Sequence, residues 1–135
     1  MTKPEGRCLC GQFSYASDAE PLATLICHCR NCQRQSGAAF SLNVVVPAAS
    51  LSTKGELRSY MDRADSGNTV ERQFCATCGS PVFSMLSTNK AIAIIKAGTL
   101  DDTSGLKPAS EVWCDSAQTW VPPMVAEARF PRNPA

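Results

Sequence analysis

Residues 27–32 read CHCRNC, three cysteines and the chain's single histidine within six positions. Such a stretch offers thiolate chemistry of four kinds: a disulfide knot, a redox pair, a closed structural metal site, or a metal site with one position left open. Two cysteine pairs flank it, Cys8-Leu9-Cys10 before and Cys75-Ala76-Thr77-Cys78 after, and Cys114 stands apart. Eight cysteines in 135 residues is a high count. In a reducing cytoplasm, the compartment expected here, metal binding or catalysis accounts for them better than disulfides do.

Paired knuckles suit tetrahedral zinc, because a short loop lets two thiolates converge on one ion while backbone N–H groups stabilise the sulfur charge. Cys8, Cys10, Cys75 and Cys78 make a complete four-thiolate set, and Gly11 and Gly79 follow the two pairs, where a tight turn is needed. This is a closed, structural site that clips a small β-fold together. Cys27, Cys29 and Cys32 then remain as three ligands for a second ion. Zinc held by three protein groups keeps a fourth position for water or substrate, which is the catalytic arrangement. His28 is the competing fourth ligand, but an extended backbone turns it away from Cys27 and Cys29. A redox role for Cys29-Arg30-Asn31-Cys32 lacks the βαβ surroundings such pairs have.

The elements that must position these residues read as strands. The runs GQFSYAS, LATLIC, FSLNVVV, ELRSYM, TVERQF, PVFSML and AIAIIKAG are short, rich in Val, Ile, Phe, Tyr and Thr, and separated by Gly, Pro, Ser and Asn. In NTVERQFC, Val70, Arg72 and Phe74 alternate with Thr69, Glu71 and Gln73, and the preceding DSGN is a hairpin turn. AIAIIKAG is apolar on both faces and belongs at the centre of a sheet. One short helix is expected over NCQRQSG, with Asn31 as N-cap and Gly37 as its stop. The tail PPMVAEARFPRNPA is expected to run across the surface.

Length and composition fit one globular domain. Lys+Arg (13) nearly equals Asp+Glu (12), which leaves no basic footprint for nucleic acid. No run approaches the roughly 18 apolar residues of a membrane span, and the first residues lack a signal-peptide core.

The segments GRCLCGQFSY, CHCRNCQRQSGAAF, RQFCATCGSPVF and AGTLDD, followed by EVWCDSAQTW, resemble the glutathione-dependent formaldehyde-activating enzyme family, in a short, bacterial-type form. The order and spacing of seven cysteines carry the likeness. It implies a family domain over residues 4–125 and a C-terminal tail over 126–135. The implied fold is mainly β, several small coiled antiparallel sheets around zinc, similar to methionine sulfoxide reductase B. It also implies two zinc ions per chain, a structural one on Cys8, Cys10, Cys75 and Cys78 and a catalytic one on Cys27, Cys29 and Cys32. The implied activity is that of a carbon–sulfur lyase, condensing glutathione with formaldehyde to S-hydroxymethylglutathione.

Three soft thiolates favour a thiophilic ion with a small thiol as fourth ligand, and they leave one net negative charge on the cluster. Arg30 and Arg34 flank the triplet and are the candidates to offset that charge or to hold a glutathione carboxylate, with solvated surface arginines as the plain alternative. Trp113 and Trp120 are pocket walls or core residues, and Cys114 reads as a buried apolar thiol. One alternative is a thiol-binding enzyme with a different substrate, and three further rivals stand against this reading. A non-catalytic zinc module for nucleic acid would need a basic face. A methionine sulfoxide reductase would use a free cysteine, and a nucleobase deaminase would show H-x-E before P-C-x-x-C.

Overall fold

In the computed structural model, which describes residues 2–64, 66–126 and 128–134, the chain is mainly β, as the alternating runs predict. All seven predicted strands form. Their elements are β2 (Ser14–Ser17), β3 (Ala23–Cys27), β4 (Ser41–Pro47), β6 (Leu57–Arg63), β7 (Thr69–Cys75), β8 (Pro81–Leu86) and β9 (Asn89–Lys96). Three shorter strands, β1 (Glu5–Arg7), β5 (Leu51–Lys54) and β10 (Ser110–Val112), join them. They assemble into a small sheet, β1-β2-β5, and a seven-stranded sheet, β10-β3-β4-β9-β8-β7-β6. Pairing is antiparallel except where β10 lies parallel to β3. The doubly apolar β9 is the middle strand of the seven, flanked by β4 and β8. No helix of the described residues is long and apolar enough to cross a membrane.

The two faces of the large sheet have different jobs. Residues opposite each other in register share a face, and successive residues alternate between faces. One face carries Val44, Val46, Ala93, Ile95 and Phe83, all buried, and packs on Phe13 and Tyr15 beside the small sheet. Phe83 meets both aromatic rings edge-on, at centroid distances of 5.7 and 5.1 Å. Full burial of each such side chain contributes about 1.5–3 kcal/mol, so this layer fixes the two sheets against one another. The other face carries Cys27, Asn43, Lys96, Ser84 and Arg72, placed by the pairs Cys27↔Ser41, Asn43↔Lys96 and Ser84↔Arg72. Polar groups collect there because this face is the floor of a site.

Among the described residues there is a single α-helix, α1 (Arg30–Ser36), and it follows β3 directly. Its start differs from the expectation. Cys29, not Asn31, is the N-cap: Cys29 Sγ accepts the Cys32 N–H at 3.3 Å, so a sulfur fills the role an Asn oxygen would have had. Asn31 instead sits in the first turn and donates its amide to Asp62 and to the Arg63 carbonyl. Gly37 ends the helix as expected, with φ 68° and its N–H on the Gln33 carbonyl.

The β6–β7 hairpin also forms, with Arg63 opposite Thr69. Of its predicted DSGN turn, Asp65 lies outside the described residues, while Ala64 N–H reaches the Asn68 carbonyl at 2.8 Å. Beyond residue 126 the tail is tied to β10 and the turn after it. Ala128 and Phe130 exchange backbone hydrogen bonds with Glu111, and Trp113 N–H reaches the Arg132 carbonyl.

Candidate metal centres and the cavity between them

The four cysteines of the predicted clip come from two distant parts of the chain and meet. Cys8, Cys10, Cys75 and Cys78 place their Sγ atoms within 4.8 Å of one another. Cys8 and Cys10 leave β1, and Cys75 closes β7. The turns are of knuckle type: Thr77 N–H and Cys78 N–H both point at Cys75 Sγ at 3.3 Å, and Gln12 Nε2 donates to the same sulfur at 3.1 Å. Gly11 (φ 83°) and Gly79 (φ 79°) hold the left-handed conformation that reverses the chain after each pair.

The local electrostatics prepare thiolates. Hydrogen bonding from the Ser80 hydroxyl, helped by the N–H groups of Cys10 and Ser80, holds Cys78 down at about 5. Cys75 is also lowered: burial opposes its charge, but the Cys78 N–H, the Gln12 amide and the Thr77 N–H outweigh it. Cys10 goes the other way, to about 11, since burial and the thiols of Cys8, Cys78 and Cys75 override the Gln12 N–H. Four sulfurs facing one point, with N–H groups on their charge, is a donor set that fits a tetrahedral soft ion.

Cys27, Cys29 and Cys32 form a second group, their Sγ atoms also within 4.8 Å of one another, and all three are buried. Cys27 ends β3, Cys29 caps the helix and Cys32 lies one turn into it. Among the described residues no fourth metal-ligating side chain joins this group. Hydrogen bonds from the Cys27 and Cys29 thiols lower the Cys32 thiol strongly, and Lys96 and Arg72 add to the effect. Hydrogen bonding with the Cys29 and Cys32 thiols, with burial, raises Cys27 far above an ordinary thiol. The cluster therefore favours a shared charge that a cation would neutralise.

His28 does not serve this cluster. Its Nε2 lies 2.7 Å from Glu111 Oε2, and both side chains are 1% exposed. Glu111 Oε1 accepts the N–H groups of Met124 and Val125 and faces Arg129. Cys114, half-buried rather than buried as expected, lies beside this pair.

A cavity of about 220 Å³ opens onto Cys27, Cys29 and Cys32. Leu25, Val70, Leu86, Ile94, Val112 and Trp113 give it apolar walls, while Asn43, Ser84 and Arg72 give it a polar floor. Trp113 is thus a wall residue, whereas Trp120 is 72% exposed. Arg30 and Arg34 do not line this cavity. Arg30 is exposed and hydrogen-bonds Gln33 Oε1; Arg34 borders a neighbouring groove of about 420 Å³ with Asn31, Tyr60 and Arg72. Arg72 belongs to both spaces.

Two buried cations that spacing alone did not single out face the sulfurs. Arg72 Nη1 is 3.8 Å from Cys32 Sγ, and its Nε and Nη2 are fixed by Asp62 at 3.2 and 3.0 Å. Lys96 Nζ donates to Ser41 Oγ at 2.8 Å; burial lowers its pKa, against the attraction of Cys32. For Arg72 the alternation Val70-Arg72-Phe74 was the available signal, since it puts a cation on an inward face.

Fold and site define a mainly β protein with one four-cysteine and one three-cysteine cluster, each able to hold a metal ion, the second open to a cavity. The family model for glutathione-dependent formaldehyde-activating enzyme matches residues 3–116, and the chain belongs to that family. Among solved structures, a Rhodobacter sphaeroides protein is similar in fold, with a TM-score of 0.58 and 21% identity over 77% of this chain and 91% of that one. No curated protein matches the chain.

Proposed function

We propose that the three-cysteine cluster holds a zinc ion whose fourth position takes a small thiol, and that the protein makes or breaks a carbon–sulfur bond on that thiol. The observation that carries this reading is the His28–Glu111 contact: the one histidine is held away from the triplet, and the triplet faces a cavity instead. A zinc ion on three thiolates supplies a Lewis-acidic position at which a thiol ionises near neutral pH. Arg72 and Lys96 offset the charge of the thiolates and of a fourth one. The apolar walls limit water around the sulfur.

Glutathione is the leading thiol and formaldehyde the leading electrophile, in keeping with the family description, the product being S-hydroxymethylglutathione. In this reading the glutathione sulfur enters the cavity and its carboxylates lie along the adjoining groove, where Arg34 offers a fork for one of them. Arg30, turned toward Gln118 and Trp120, would meet only a ligand that wraps around the helix. The four-cysteine cluster holds a second, structural zinc.

The experiment is cobalt substitution at the three-cysteine site. Added glutathione should strengthen the sulfur-to-metal charge-transfer band. A thiol without carboxylates should bind more weakly, and Arg34→Ala should shrink the difference. A spectrum indifferent to every thiol would make the chain a zinc-binding module rather than an enzyme.

A further inference from the structure

The hydroxyl of Ser84 is buried, in a residue 2% exposed, and among the described residues its Oγ has no hydrogen-bond partner. Leaving such a group unpaired costs about 1–3 kcal/mol, so native structures rarely do so without a reason. Ser84 also lines the cavity that opens onto the three cysteines. Directly across the strand pair lies Arg72, 4% exposed, lining the same cavity with its guanidinium braced by Asp62 and reaching toward Cys32. A braced, planar guanidinium and an unpaired hydroxyl, on residues paired across two strands and lining one cavity, are groups that can receive a developing oxyanion.

We propose that Ser84 and Arg72 form an oxygen-binding subsite beside the three cysteines, which takes the carbonyl oxygen of a small aldehyde; this rests on the reading that a thiolate sits at that cluster. The step balances without an oxidant. A sulfur lone pair forms the C–S bond, the carbonyl π pair moves onto oxygen, and Ser84 O–H and the Arg72 N–H groups hold the alkoxide. That alkoxide takes a proton from water, equal to the one released when the thiol ionised, so thiol and aldehyde sum to a hydroxyalkyl thioether. The reverse cleavage uses the same groups in the opposite order. Val70, Leu86 and Ile94 line the same cavity of about 220 Å³, a setting that favours a small aldehyde over a branched one.

Formate, a one-carbon oxyanion, probes the subsite without turnover. In the zinc-loaded protein, calorimetric titration should show formate binding that weakens about tenfold in Ser84→Ala, the scale of one lost hydrogen bond to a charged group. Arg72→Lys, which keeps the charge but not the fork, should weaken it at least as much. In Ser84→Ala the thiol-induced cobalt band should be unchanged, the melting temperature unchanged or raised, and the rate at saturating thiol about tenfold lower. A Ser84→Ala protein that binds formate and turns over like wild type, with thiol binding intact, overturns the subsite alone. A wild-type cobalt spectrum that ignores thiols overturns the subsite and the thiol reading together.

Discussion

His28 Nε2 and Glu111 Oε2 sit 2.7 Å apart in the interior, joining two residues 83 positions apart. With Glu111 ionised, the histidine N–H is the donor. The contact links the middle of the CHC triplet to the strand that holds the C-terminal tail, because the second Glu111 oxygen accepts the N–H groups of Met124 and Val125. The geometry thus makes His28 a link between β3 and the C-terminal segment. His28→Ala leaves a buried carboxylate short of a partner and should cost about 3–5 kcal/mol by chemical denaturation. The zinc content of the folded variant should stay at the wild-type value. Loss of one zinc with little loss of stability would instead make His28 a ligand.

The same pair sets a pH dependence. Burial works against the Glu111 charge, but the His28 hydrogen bond, the N–H groups of Val125 and Met124 and the Arg129 guanidinium together hold its pKa below the ordinary carboxylate value of 4.5. The folded value is therefore the lower one. Its stabilising contribution is complete above the unfolded value and disappears as pH falls through the folded value. Acid also releases metal from cysteines, so the comparison is with Glu111→Gln. The stability advantage of wild type over Glu111→Gln should shrink as pH falls through and below the carboxylate range. A difference that grows on acidification would contradict the assignment.

Phe83 joins the sheets that carry the two halves of the four-cysteine cluster. Its ring packs edge-on against Phe13 and Tyr15, one residue on the loop after Cys10 and one on β2. Phe83→Ala should cost about 3–5 kcal/mol. Because Cys8 and Cys10 come from the small-sheet side and Cys75 and Cys78 from the large sheet, loosening this layer should also speed exchange of the zinc proposed to bind there. Isotopic zinc exchange measures it. An exchange rate equal to wild type would show that the cluster holds its geometry without the aromatic layer.

Sequence patterning located strands whose composition demands burial, such as AIAIIKAG, and also the mostly exposed β6, whose run ELRSYM leads into a hairpin turn. β1, β5 and β10 are three or four residues long and owe their conformation to partners; Ser110–Val112 becomes a strand because it lies beside Leu25–Cys27. Spacing made both cysteine clusters legible, since thiolates that share an ion must converge and short knuckles achieve that. The groups around them were less accessible. Lys96 ends an apolar run and reads as a strand terminus, and Glu111 reaches His28 only through the parallel pairing of β10 with β3. Arg30 and Arg34 adjoin the triplet in sequence, but a helix turns neighbours to different faces, and the cations facing the sulfurs come from strands. Asn31 looked like a cap because sulfur is not usually considered an N-cap acceptor.

Removing cysteines should separate the two clusters. The four-cysteine group joins the start of the chain to the end of β7, contacts 65 residues apart, so whatever ion it holds is coupled to folding. Zinc bound in this way contributes on the order of 10–16 kcal/mol in small zinc domains, and losing one thiolate forfeits a large part of it. Cys75→Ser or Cys78→Ser should therefore unfold the chain or lower its stability by several kcal/mol, on the order expected for a broken structural site. Cys27, Cys29 and Cys32 all lie within one short segment, already held by β3 and by its own helix. Their ion closes no long loop. Cys27→Ser or Cys32→Ser should leave the melting temperature much nearer wild type while removing about one zinc per chain, and mild chelation of the unaltered protein should take the same ion first. Elemental analysis beside thermal melts checks both arms. Equal collapse in the two groups of variants would mean that the three-cysteine cluster is as structural as the clip.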